Sequence, residues 1–143
     1  MHLVHATSVE IGGSAVLIRG PSGSGKSDLA LRLIDGGATL VADDQSALSV
    51  EGGHLFVSPP ETIAGLLEVR GLGLVRLPYR QRAPVALVVD LANPKELERL
   101  PEPSSAAFLG LVVPRLAVAA FEPSCAAKVR LAMLSATRDI MRL

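Results

Sequence analysis

The sequence predicts an α/β protein: a P-loop-containing mixed sheet with flanking helices and a helical C-terminus, organised as one domain over residues 1–143. Three observations predict it. The octapeptide Gly20-Pro21-Ser22-Gly23-Ser24-Gly25-Lys26-Ser27 fits the phosphate-loop pattern G-x-x-x-x-G-K-[ST] at every constrained position. It stands between a short apolar run, Ala15 to Ile18, and a stretch that places Leu29, Leu33 and Ile34 near one helical face. Further apolar runs are first paired by glycine turns and then mixed with helical stretches, the order of a P-loop core with antiparallel additions. A chain of 143 residues, 49% hydrophobic and 20% charged, can build one proper core and is too short for two.

Taken in order, Leu3 to Val9 alternates loosely and reads as a first strand carrying His5. Glu10-Ile11-Gly12-Gly13 is a tight turn, so a hairpin leads into the strand Ala15 to Ile18. The helix after the loop, Asp28 to Ile34, is stopped by Gly36-Gly37. Thr39 to Ala42 is the next buried strand and ends in Asp43-Asp44. Ala47 to Val50 and His54 to Val57 flank Glu51-Gly52-Gly53 as a hairpin, and Glu61 to Gly65 reads as one helical turn. Leu66 to Arg70 is expected to be a strand that kinks and continues, extended, through Gly71 to Leu74. Pro78 to Pro84 is a basic loop with Arg80 and Arg82. Val85 to Val89 is the strongest buried-strand run and ends at Asp90. Pro94 to Arg99 reads as a short helix, and Pro101-Glu102-Pro103 as a rigid connector. Phe108 to Val113 is expected to be the last strand, closed by Pro114. From Arg115 onward the chain reads as mostly helical, with Pro123 opening a long helix over Ser124 to Arg142.

The composition excludes several classes. Formal net charge is zero, which argues against a general binder of nucleic acid or anionic membranes. A single cysteine, Cys125, excludes an internal disulfide and a cysteine-only metal site. No stretch is long and apolar enough to span a membrane, and the N-terminus lacks the layout of a signal peptide, so the expected address is the cytoplasm.

The loop carries the chemistry. Its glycines let backbone N–H groups turn inward around phosphate oxygens, and the following helix adds its dipole. In this pattern Lys26 reaches the β/γ-phosphates and the Ser27 hydroxyl holds Mg²⁺. Such a site needs a carboxylate at a strand end, and two places offer one. Val85 to Asp90 has the apolar-then-Asp form that slightly favours Asp90 by pattern alone. Asp43-Asp44 offers a pair, in which one carboxylate can serve the metal while its neighbour acts as base on a hydroxyl.

The loop, its spacing to Val41-Ala42-Asp43-Asp44, and the segment Leu67-Glu68-Val69-Arg70-Gly71-Leu72-Gly73-Leu74 together resemble the HPr kinase/phosphorylase family. Its members carry a GxSGxGKS loop, a LVADD strand end and a LEIRGLGI segment in this order. The resemblance runs from about His5 to Arg99 and more loosely beyond. It implies an HPr kinase/PEP carboxykinase-like fold and ATP-dependent phosphorylation of a serine on an HPr-type phosphocarrier protein of a phosphotransfer system. In many members the same enzyme removes that phosphate. It further implies Mg²⁺ as metal and a homo-oligomer, typically a hexamer. Carried over residue by residue, Gly20 to Ser27 bind the triphosphate and Lys26 stabilises the moving phosphoryl group. Ser27 and Glu68 coordinate Mg²⁺, Asp44 matches the proton acceptor, and His5 matches a histidine ahead of the P-loop strand. Arg99 resembles the arginine of an Asp-Arg-Leu motif, with Glu98 in place of the aspartate.

Two departures shape the expectation. The family usually carries an N-terminal domain ahead of the kinase domain, whereas this sequence opens at the kinase, as in the short proteobacterial type. Where the family has PVxPGRN, tied to dephosphorylation, this chain has Val112-Val113-Pro114-Arg115-Leu116, so poor phosphorylase activity is expected. Two other readings remain open on sequence. One is a small-metabolite or nucleotide kinase with Asp90 on the metal and Arg76, Arg80 and Arg82 as a lid. The other is a regulatory nucleotide-binding module, against which Glu68 and Asp44 argue because a switch needs no base.

Overall fold

The structure, a computed structural model, describes residues 2–137. After a short strand β1 (His2–Val4), β2 (Thr7–Ile11) and β3 (Ser14–Arg19) form a hairpin whose turn, Gly12-Gly13, has φ of 61° and 95°. Two consecutive left-handed residues suit the twist of a two-residue hairpin, which is why both are glycine. The phosphate loop follows and opens helix α1 (Lys26–Asp35). Gly37, at φ 112°, reverses the chain at its end, and the Ala38 N–H bonds the Leu33 carbonyl. Strand β4 (Thr39–Ala42) then lies antiparallel to β2. Next come the hairpin β5 (Ser46–Glu51) and β6 (His54–Ser58), one 3₁₀ turn (Glu61–Ile63), and the strands β7 (Leu66–Val69) and β8 (Gly73–Arg76). The long strand β9 (Ala83–Leu91), a second 3₁₀ turn (Pro94–Glu96), β10 (Ser104–Phe108), β11 (Leu111–Val118) and helix α2 (Cys125–Ala136) complete the order.

Among the described residues these strands make a nine-stranded mixed sheet and a separate β7–β8 pair. β9 is its organising strand. It runs parallel to β3 and to β11, and its first residues pair antiparallel with β6. Both faces are covered, as a parallel centre requires. Val16, Ile18, Leu87 and Val89 face α1 and α2, packing with Leu29, Leu33, Val129 and Met133. Ala15, Leu17 and Val88 face the other way, under Leu48, Val57 and Phe108 of the curled antiparallel additions. Burial on both faces explains why β3 and β9 read as continuous apolar runs. The fold is the expected mixed α/β arrangement with flanking helices and a C-terminal helix. No helix of the described residues is long and apolar enough to cross a membrane.

Several element expectations are corrected. Leu3 to Val9 is two strands, because the Ala6 N–H closes a tight turn on the Val4 carbonyl and sends β1 to β5 while β2 joins β3. The segment after Leu66 reverses rather than continuing: Gly71 and Gly73, at φ 90° and 100°, fold β7 back on β8. Phe108 to Val113 is a hairpin, turned by Leu109 and Gly110 with φ of 51° and 82°. Pro114 does not end β11, since pairing with β9 starts only at Arg115 and no ladder bond to β9 is lost. Arg115 to Val118 is therefore strand, and α2 starts at Cys125 rather than Pro123; the part of the expected helix beyond residue 137 lies outside the described residues. The short helix at Pro94 shrinks to one 3₁₀ turn capped by the Asn93 side chain.

Candidate active site

The parallel alignment of β3 and β9 sends the phosphate loop out beyond the carboxyl ends of the central strands, where open α/β sheets place their ligands. Gly25 caps α1 in the left-handed conformation, φ 102°. A Cβ there would stand 2.9 Å from both Ala120 Cβ and the Phe121 ring, so only glycine fits. At Gly20 a Cβ would meet Ser24 Oγ at 2.5 Å. Lys26 is only 6% exposed, and its ammonium donates to the carbonyls of Gly20 at 2.7 Å and Pro21 at 3.1 Å. The buried Ser24 hydroxyl has no hydrogen-bond partner among the described residues. A loop with a buried cation, a spare hydroxyl and left-handed glycines fits a polyphosphate.

The two acids part at the end of β4. Asp43 turns inward. Its Oδ1 accepts from Ser27 Oγ at 2.7 Å and from Thr7 Oγ1 at 3.0 Å, and its Oδ2 accepts from the Glu68 N–H at 3.0 Å. A carboxylate hydrogen-bonded to the loop serine puts two oxygens together of the kind a hard divalent cation such as Mg²⁺ would take. Asp44 turns outward because its backbone is left-handed, φ 68°. Its N–H donates to Thr7 Oγ1 at 3.1 Å, and its Oδ1 lies 2.7 Å from His5 Nε2. The side chains of His5 and Asp44 stay exposed, at 44% and 64%. The site therefore pairs a buried acid bonded to the loop serine with an exposed acid held by a histidine.

The other expected residues are placed less directly. β7 carries Glu68 beside Asp43 through its backbone, while its carboxylate is exposed and has no partner among the described residues. Arg99 is exposed between the second 3₁₀ turn and β10, and no hydrogen bond or ion pair among the described residues ties it to the acids. Asp90 lies inside β9 and is fully engaged. Arg19 binds both its oxygens, at 2.7 and 2.9 Å, and Arg115 binds Oδ2. Burial pushes the Asp90 carboxyl up, but the hydrogen bonds and charges of Arg19 and Arg115 outweigh this and leave its pKa below the ordinary value. A carboxylate so occupied is not free for a metal. Arg80 and Arg82 pair with Glu10 and Glu51, away from a lid's position over the loop. A cleft of about 390 Å³ between β10–β11 and α2, lined by residues such as Ser105, Val112 and Ser135, includes neither acid nor any loop residue.

Thr7 was not singled out by sequence reasoning, and the separate task of Asp43 was left open. Thr7 lies 36 positions from Asp43, and its hydroxyl points there only because β2 sits between β3 and β4. Its place in an alternating strand beginning two residues after His5 is the one sequence signal available.

The family model described as HPr Serine kinase C-terminal domain matches residues 1–129. The chain is 38% identical over 130 residues to the HPr kinase/phosphorylase of Geobacillus thermodenitrificans (strain NG80-2), covering 80% of this chain and 41% of that protein. It is 40% identical over 101 residues to the HPr kinase/phosphorylase of Exiguobacterium sp. (strain ATCC BAA-1283 / AT1b), covering 65% of this chain and 32% of that protein. The chain thus spans less than half the length of these curated relatives. Among solved structures, the Hpr(Ser) kinase/phosphatase from Coxiella burnetii superposes with a TM-score of 0.80 at 26% identity, over 97% of this chain and 90% of that one.

Proposed function

The chain belongs to the family of the HPr serine kinase C-terminal domain, and from that premise we propose that it phosphorylates a serine hydroxyl of an HPr-type phosphocarrier protein. The observation that carries the reading is the division between the two acids: Asp43 on the loop serine, Asp44 exposed and held by His5. ATP would supply the phosphoryl group, and Mg²⁺ would neutralise its developing charge. Backbone N–H groups of the loop from Gly20 to Ser27, all but that of Pro21, and the Ser24 hydroxyl bind the phosphates, and Lys26 contributes the cation within the loop. Ser27 and Asp43 would hold the metal, with the exposed Glu68 carboxylate as a further ligand.

Asp44 receives the serine proton. His5 Nε2–H, donating to Oδ1, fixes the carboxylate and leaves Oδ2 as the acceptor. An exposed base suits a substrate that is itself a protein, because the incoming partner can cover the site and exclude water as it docks. Arg99, exposed in the connection ahead of β10, remains a further catalytic candidate by its resemblance to the arginine of an Asp-Arg-Leu motif. Arg115 stands where the family has PVxPGRN, and its guanidinium is engaged by Asp90, which supports a slow reverse reaction. The reading includes a cytoplasmic location and a homo-oligomer, hexameric as is typical of the family. Incubation with Mg·ATP and a purified phosphocarrier should place phosphate on a serine, and the phosphorylated carrier should lose it slowly in inorganic phosphate. Phosphate transfer to a small metabolite but not to the carrier would sink this reading.

A further inference from the structure

The chain has three phenylalanines, one tyrosine and no tryptophan. Phe108 is buried with the Arg19 guanidinium 5.3 Å from its ring centre, and Phe56 is covered by Arg82 at 3.7 Å. Tyr79 packs on Gly65. Phe121 is different: it is 71% exposed. Isolated exposed apolar residues are ordinary, so its placement has to carry the argument.

Phe121 follows β11, the third of the parallel strands β3, β9 and β11, at the carboxyl end where the phosphate loop also emerges. A Cβ on Gly25 would come 2.9 Å from its ring, so ring and loop are in contact. The segment is held firmly. Ala119 and Ala120 are buried, and the Ala120 carbonyl accepts from Arg32, which Asp28 grips at 3.1 Å. The Glu122 N–H bonds the Ala119 carbonyl at 3.2 Å, and the Glu122 carboxylate pairs with Lys128 at 2.9 Å. A hydrogen-bonded turn thus holds an aromatic face open at the rim of the phosphate loop, beyond the strand ends where nucleotides sit in such sheets.

We propose that Phe121 is the platform on which the base of the nucleotide stacks while its phosphates occupy the loop from Gly20 to Ser27. The inference rests on the nucleotide-binding part of the function proposed above and adds the base subsite to it. Stacking accepts any base by its π-face, so the subsite supplies affinity with only modest preference for one nucleotide, favouring the larger purines.

The test compares wild type, Phe121→Ala and Phe121→Trp with two ligands, Mg·ATP and magnesium tripolyphosphate, which lacks a base. Phe121→Ala should bind Mg·ATP roughly tenfold more weakly and tripolyphosphate nearly as wild type does. Phe121→Trp introduces the chain's one indole, whose fluorescence Mg·ATP should quench and tripolyphosphate should not. Unchanged Mg·ATP affinity in Phe121→Ala overturns the proposal, as does an equal loss for both ligands. A changed oligomer mass with unchanged nucleotide affinity would also overturn it, by making Phe121 a contact between copies. Wild type that binds neither ligand would instead defeat the nucleotide reading itself.

Discussion

One buried hydroxyl sets the direction of both acids. Thr7 Oγ1 donates to Asp43 and accepts from the Asp44 N–H, tying the proposed metal acid and the proposed base to β2. Thr7→Val keeps the shape but leaves that N–H without its partner, at a cost of about 1–3 kcal/mol in denaturant unfolding. The phosphoryl-transfer rate should fall with KM for the carrier little changed, and Thr7→Ser should restore both stability and rate. A Thr7→Ser protein as slow as Thr7→Val would show that the methyl group, not the hydroxyl, matters. At this scale the sequence was only partly legible. Asp43 and Asp44 are equivalent letters, and the left-handed φ of 68° at Asp44 alone separates the inward carboxylate from the outward one.

At the scale of elements, the strands of the core were readable and the reversals near its edge were not. Thr39 to Ala42 keeps its expected bounds because its apolar run ends at a polar pair. The hairpin at Leu109-Gly110 was missed because a short apolar stretch continues through the turn, and at Gly71 a kink was expected but not the full reversal that Gly71 and Gly73 together make. β9 shows what such misreadings conceal: extending β11 through Arg115 brings a second guanidinium onto Asp90. The folded-state pKa of Asp90 is lowered, so its ion pairs add stability above the unfolded pKa of about 3.9. That stability is lost as pH falls through the lowered value. Urea titrations should therefore show Asp90→Asn less stable than wild type near pH 7, with the difference closing in strong acid. A difference independent of pH would remove the ionic explanation.

For the whole molecule, the strand–loop–helix unit and its neighbouring β2–β3 hairpin were legible because both are local in the chain. The branching of the sheet at β9, where β6 joins its start and β11 its end, depends on pairings between distant segments that no local pattern records. That branching puts the helices on one face and the curled hairpins on the other, leaving the tip of the loop and Asp44 open to solvent. A ligand seated there binds only the folded chain. Mg·ATP at about a hundredfold excess over Kd should raise stability by roughly 2.7 kcal/mol, visible as a higher Tm, and Lys26→Ala should lose most of the catalysis. No shift with any nucleoside triphosphate would contradict the loop's assignment.

The separation of metal acid from base is tested most directly by Asp44→Asn, which keeps the side chain's shape and removes its basicity. With Mg·ATP and a phosphocarrier protein, the rate of serine phosphorylation should fall by about 10²–10⁴-fold. The Mg·ATP melting shift should stay as in wild type, because Ser27 and Asp43 are untouched. An Asp44→Asn enzyme of near-normal rate, beside an Asp90→Asn enzyme that folds but is inactive, would contradict the division of roles and hand the chemistry to β9.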